Sequence, residues 1–546
     1  MPRGRKRTPQ DSIDSILLAI SRRDNIEEDA MSHYMDRLDE EWTNGARDKV
    51  LHLLRTNDLS AHNAAVTILS ELATNFDLDE IEDIVADPTV ADLAKLSLAP
   101  ILKDLNSEMA DDGMLDYLND PEAAMQQMQL RLLEMMGQSE LGVEAVLEDV
   151  LTMPLEKRLS FVEWLGSSYD PRAANMLIPL LESQNSKVIA AAITALEQLG
   201  SLAAPQSIPA LNYLVSHTSN REIKQQARVA LGRLTMQSAP GSAEAALSGA
   251  FQQSLAFHSA YMSYVDGEGS QMLILSWLRP DGRIKGVNLL YQDAWGIKEC
   301  FSADEVEPQE WDELAQETAQ KGVGSFQVSL EYARAFISVA RAVNKHTRHR
   351  LPVSYIVWRP LIEGEQEAKP KKRASTHALQ LDPLDPTPDV IDLAERGNAL
   401  YDLTEFVSWM FEPIERLHPF IELFWAKQPP VPPARRRRSL QKIQQSRSDL
   451  EEIVTEAIEV LIDREWQALY ISRLLRQAAL FALNGRAKDA QLSQAVASVL
   501  QSPAPVTEQS FVRAMMRYSI EQGPIRLLAE ALESGRFGPL NLLPED

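Results

Sequence analysis

The side chains in this sequence that could do chemistry are few and scattered. His346 and His349 stand three apart near the end of a helix, the kind of spacing a zinc site uses, but Thr347, Arg348 and Arg350 surround them with positive charge. No Cys-x-x-Cys or carboxylate partner follows, so the pair does not read as a metal site. Asp382, Asp385 and Asp389 alternate with prolines and lack the glycine and closing glutamate of a calcium loop, which makes turn formation their explanation. The only cysteine, Cys300, has no nucleophile signature around it and reads as a small buried hydrophobe. No phosphate loop, dinucleotide fingerprint, nucleophile elbow or zinc-protease helix is present. The sequence thus assigns no catalytic residue, no metal ligand and no cofactor.

Binding chemistry is better represented. Arg334, Arg341, Lys345 and Arg348 recur on one face of a helix opening at Leu330, and His346, His349 and Arg350 carry the charge into the next loop. Such a stripe can seat an anion, nucleic-acid phosphates included, or it can pair with the protein's own acidic surface. A second basic run, Arg435, Arg436, Arg437 and Arg438, follows the extended Pro-Pro-Val-Pro-Pro-Ala segment, and a third spans Arg3 to Arg7. Both are candidates for contact with nucleic acid or an acidic partner, with a solubilising role as the plain alternative. Trp277, Trp295, Trp311 and Trp358 crowd into residues 255–362. Core packing is their default use, and lining a ligand pocket is the other.

The elements that would position these groups begin with a repeat. Ile178-Pro179-Leu180-Leu181 returns as Ile208-Pro209-Ala210-Leu211, and Ala192-x-x-Ala195-Leu196-x-x-Leu199 returns as Ala227-x-x-Ala230-Leu231-x-x-Leu234. Each unit reads as a helical hairpin in which alanines let neighbouring helices approach and leucines fill the layer between them. The unequal offsets predict a longer loop around Ser216 to Glu222, and each proline is expected early in its helix. Ala65-x-x-Ile68-Leu69-x-x-Leu72 is a fainter copy, and Leu159-x-x-Val162-x-x-Leu165-Gly166 reads as another second helix. The segments 191–200 and 226–234 resemble the second helix of HEAT-type repeats, particularly the short variety of phycobilin lyase-like proteins. The resemblance covers residues 45–236. It implies a helical solenoid and brings no functional residue with it, since such repeats serve scaffolds, transport factors, regulatory subunits and some enzymes.

Beyond an Ala-Pro-Gly-Ser linker at 239–242 and an alanine-rich helix, the pattern changes. Apolar runs at 271–278 and 284–291 bracket Arg279-Pro280-Asp281-Gly282-Arg283, which predicts a β-hairpin. Helices are expected at 310–321 and 330–345, the latter capped by Ser329, with short strands at 326–328 and 351–358. Farther on, Ser448-x-x-Glu451 reads as a capping box, Asn484-Gly485 as a helix end, and Leu492, Ala495, Val496, Val499 and Leu500 as one face of a further helix.

The fold class that follows is mainly α: a HEAT-like α-solenoid, then a small α+β domain and a helical C-terminal region. The expected limits are a basic tail at 1–10, the repeat region at 11–245, the α+β domain at 255–362, a linker at 363–389, and helices at 390–546 interrupted at 428–438 by the Pro/Arg-rich run. A net charge of −25 and a pI near 4.9 disfavour wrapping by nucleic acid or adhesion to anionic membranes for the molecule as a whole, leaving only local basic patches for such contacts. A lone cysteine in a chain of 546 residues points to a reducing, cytoplasmic setting. The basic start is followed by acids rather than an apolar stretch, and the longest uncharged run, 245–265, is too polar for a bilayer, so neither a secretory signal nor a membrane span is expected. The function that fits is a scaffold or adaptor binding a protein partner through the repeat surface. An enzyme or ligand-binding regulatory subunit with a pocket in the α+β domain is one alternative, and nucleic-acid association through the basic segments is the other.

Overall fold

The computed structural model describes residues 12–22, 28–56, 58–237, 255–320, 324–364, 379–427 and 440–533. It divides into two compact units, Met1–Met135 and Met136–Asp546. The first contains α1 (Ile13–Arg22), α2 (Glu28–Glu40), α3 (Ala46–Leu53), α4 (Leu59–Leu72), α5 (Leu78–Ala86), α6 (Asp92–Ser97) and α7 (Ala99–Asp104). The division falls within α8 (Pro121–Gln138). Ala65, Ile68 and Leu69, the apolar phrase of α4, are buried in this unit's core beside Ile16, Leu38, Val50 and Ile81. Just before α5, the buried Asp77 carboxylate accepts hydrogen bonds from Trp42 Nε1 (3.2 Å), Arg47 Nη1 (3.2 Å), Thr74 N (2.8 Å) and Thr74 Oγ1 (3.0 Å).

The second unit opens with three helical hairpins: α9 (Glu140–Thr152) with α10 (Leu155–Ser167), α11 (Ala173–Leu180) with α12 (Ser186–Leu199), and α13 (Ala204–His217) with α14 (Arg221–Gln237). α10, α12 and α14 pack in succession as one row, and α9, α11 and α13 form the other. Small residues set the spacing: a Cβ on Gly166 of α10 would lie 2.8 Å from Ala195 of α12, so glycine lets the two helices close together. Two expectations for the repeat are corrected. The five additional residues of the second unit lengthen α13 rather than the loop, which runs only from 218 to 220 against 181 to 185 in its counterpart. Pro179 and Pro209 lie inside their helices, because α11 and α13 start well upstream; the first-turn proline is Pro205.

A five-stranded antiparallel sheet follows in the order β4-β3-β2-β1-β5, with β1 (Ala256–Ser263), β2 (Ser270–Leu278), β3 (Ile284–Gln292), β4 (Gly296–Val306) and β5 (Ser325–Gln327). The β2–β3 hairpin turns on Gly282 at φ 86°, with Arg279 N donating to Arg283 O. α15 (Pro308–Gln320) covers one face, where Trp311 packs on Ile274, Ile284 and the bare Gly286. α16 (Leu330–Thr347), capped by Ser329, covers the other through Phe336, which meets Tyr291 edge-on at 5.1 Å. The run at 351–358, expected as a strand, is instead the start of α17 (Val353–Glu363). Its buried Tyr355, Trp358, Arg359 and Ile362 fall at the 3, 4 and 7 spacing of a helix face, a period that a run ending at Pro360 is too short to reveal.

The C-terminal helices are α18 (Pro388–Ala394), α19 (His418–Ala426), α20 (Leu440–Leu461), α21 (Arg464–Leu483), α22 (Ala487–Gln501) and α23 (Ser510–Glu533). Gly485, at φ 73°, ends α21 as expected. The Ser448 capping box does not form, because α20 begins eight residues earlier at Leu440; Glu451 instead takes ion pairs from Arg513 and Arg517 of α23. The bundle grips the sheet by its β1–β2 turn. Trp409 Nε1 donates to Val265 O (3.0 Å), Val265 N donates to Gln477 Oε1 (2.8 Å), and Arg473 donates to Asp293 Oδ2, Gly267 O and Glu268 O at 2.7–2.8 Å. No helix of the described residues is long and apolar enough to cross a membrane.

Candidate functional site

Within the second unit the helical repeat and the α+β domain meet along a charged, largely buried seam. Glu140 and Glu144 stand one turn apart on α9, on the same side as the apolar Val143 and Leu147. Glu140 pairs with Lys285 of β3, whose ammonium lies 3.4 Å from Asp304 and 5.1 Å from the centre of the Trp358 ring. Glu144 accepts from Ser302 Oγ of β4 (2.8 Å), from Trp358 Nε1 of α17 (3.0 Å) and from Ser354 Oγ. Lys285 is only 3% exposed, and a buried ammonium persists only where carboxylates and a ring replace its water.

A second cluster continues the seam. Glu182, just beyond α11, pairs with Arg359 of α17, and that guanidinium stacks 4.3 Å over Tyr213 of α13. Arg341 of α16 lies over the same ring at 5.5 Å and pairs with Glu363 at 2.8 Å, while Tyr355 Oη donates to Glu363 at 2.6 Å. Burial, reinforced by the Glu363 charge, pushes the Tyr355 phenol well above its ordinary pKa. Arg341 is raised despite its burial, which acts the other way, because Glu363 and the two tyrosines favour its charged form. Glu363 thus ties α16 to α17 through Arg341, while accepting from Tyr355 within α17.

The structure separates the sequence-derived candidates. Arg334 donates to Ile362 O at 3.2 Å and Arg341 is committed to Glu363, so half the basic stripe faces α17. Lys345 and Arg348 remain exposed at the far end of α16. His346 is exposed, and His349 stacks face to face on Trp295 at 3.7 Å. No cluster of three or more metal-binding side chains occurs among the described residues. Cys300 is buried on β4, where burial and the neighbouring Glu144 charge raise its thiol far above the ordinary value. Trp277, Trp311 and Trp358 are buried, and Trp295 is 37% exposed. Arg3 to Arg7 and Arg435 to Arg438 lie outside the described residues.

Sequence reasoning missed Glu140, Glu144, Glu182, Tyr213, Lys285 and Arg359. One signal was readable: Lys285 falls in phase with Val287, Leu289 and Tyr291, a cation on the apolar face of a strand. On the opposite row Thr194, Gln198, Val229 and Arg233 are exposed among the described residues. Between α12 and α14 runs a groove of about 530 Å³, lined by Thr194, Gln198, Gln226, Val229 and the Glu197–Arg233 pair, whose N–O distance is 2.5 Å. No curated protein and no solved structure matches this chain. The family model for HEAT repeats matches residues 145–232, so the stack from α9 to α14 contains a HEAT-like repeat.

Proposed function

We propose that the protein is an interaction scaffold whose HEAT-like repeat is used on two sides. The row α9, α11 and α13 holds the chain's own α+β domain, and the row α10, α12 and α14 receives a protein partner. One observation carries the reading: Glu140, Glu144, Glu182 and Tyr213 are all engaged by the α+β domain, whereas Gln198, Val229 and Arg233 on the other row are exposed. Solenoid repeats expose such extended faces, and an apolar residue ringed by amides and one ion pair suits an extended polypeptide with satisfied backbone groups. The lone, buried cysteine supports a reducing, cytoplasmic setting for this role.

The test is affinity capture with the full chain, comparing wild type with the double variant Val229→Asp, Arg233→Glu. We expect a defined protein retained by wild type to be lost from the double variant, with unchanged thermal stability. Retention of the same protein by both would remove the α12–α14 face from the account.

A further inference from the structure

The C-terminal end of α16 carries an exposed aromatic and basic corner. There the β3–β4 turn is clamped onto the helix: the Asn344 side chain receives a hydrogen bond from Ile297 N (2.7 Å) and donates to Ile297 O (3.0 Å), while Thr347 Oγ1, 2.9 Å from Val343 O, lies 3.2 Å from Trp295 O. Gly296 permits the fit, with φ at 94° and no room for a Cβ beside Asn344. The clamp presents Trp295 in one orientation, backed by the parallel His349 ring at an interplanar angle of 1°. Near His349 in the chain stand Lys345, His346, Arg348 and Arg350, all exposed.

These cations stand exposed in an acidic chain. With 79 acidic against 54 basic residues, most buried or half-buried arginines here have carboxylate partners. Among the described residues, Lys345, His346 and Arg348 make no ion pair, and Arg350 is held only by Gln184 Oε1 at 3.1 Å. The acid nearest in sequence to Trp295, Asp293, is turned away and consumed by Arg473 and Arg476. The carbonyls ending α16 favour Lys345 and His346. They do not account for Arg348 and Arg350, which lie beyond the helix.

We infer that this corner binds single-stranded nucleic acid, a base stacking on the Trp295–His349 platform while Arg348, Arg350 and Lys345 take the flanking phosphates. A prepositioned aromatic beside exposed cations is the combination that single strands require. The acidic remainder of the chain is screened beyond roughly 8–10 Å at physiological salt, so a local patch can act alone. The fluorescence anisotropy of labelled oligouridylate and oligothymidylate, titrated with the full chain at about 50 mM and about 200 mM salt, reads the binding directly. We expect Arg348→Gln with Arg350→Gln to lower affinity at least about tenfold and to flatten the log–log salt slope by about 1.4, two phosphate contacts' worth. Trp295→Leu should weaken binding by about tenfold with the slope unchanged. Free uridine monophosphate should compete only weakly, since a strand spans several cations. The inference is overturned if wild type binds neither strand at low salt, if mononucleotide competes as well as the oligomer, or if binding survives these variants and is lost instead on replacing Arg435 to Arg438 with glutamine.

Discussion

Glu144 shows how much a single half-buried carboxylate can organise, for it accepts from β4 once and from α17 twice. Glu144→Ala leaves three donors without their acceptor, and we expect a loss of about 2–4 kcal/mol in denaturant unfolding, with Glu144→Gln costing less. Asp77 plays the corresponding part in the first unit. Burial tends to raise its pKa, but hydrogen bonds from Thr74, Arg47 and Trp42 outweigh that and hold it below the ordinary 3.8. A carboxylate lowered in this way contributes stability that is fully present above the unfolded value and is lost as pH falls through the folded one. The stability difference between wild type and Asp77→Asn should therefore be constant from neutral pH down to about 5 and shrink below about pH 4. A difference that instead grows on acidification would mean that Asp77 is not the titrating group.

Among the elements, those with local signals were legible in the sequence. The Arg279 to Arg283 turn, the Ser329 cap and the Asn484-Gly485 stop each depend on a few adjacent residues whose backbone chemistry is strong, and each forms. Where local cues competed with packing they failed: Ser448 and Glu451 have capping-box spacing, yet α20 begins at Leu440 and runs through them, and Glu451 pairs with two arginines on α23. α17 carries β-branched residues like a strand but buries one helical face. The seam was beyond the sequence for another reason, since Glu144 and Trp358 meet across 214 positions and no local pattern joins them. Gly286 tests the sheet's packing. A Cβ there would sit 2.1 Å from the Trp311 ring, so Gly286→Ala must lever the indole off the sheet. We expect a loss of about 1–3 kcal/mol and a change in tryptophan fluorescence. An unchanged melting curve would show that α15 is not held there.

For the whole molecule, the sequence conveyed the architecture of repeat, sheet and helices, but not which side of the repeat the chain keeps for itself. The seam spends carboxylates, arginines and a lysine on holding the α+β domain, and buried charge of this kind is costly to break by removing one partner. The central proposal is that the α10, α12 and α14 row, where Gln198, Val229 and Arg233 are exposed, receives the partner. It is tested most directly by placing a photo-crosslinking amino acid at Val229, on the open face, or at Ser302, in the seam, in the full chain within its own cells. The account expects a discrete protein adduct from Val229 that disappears with Arg233→Glu, and from Ser302 only crosslinks within the chain itself. An adduct to another protein from Ser302, with none from Val229, would contradict it.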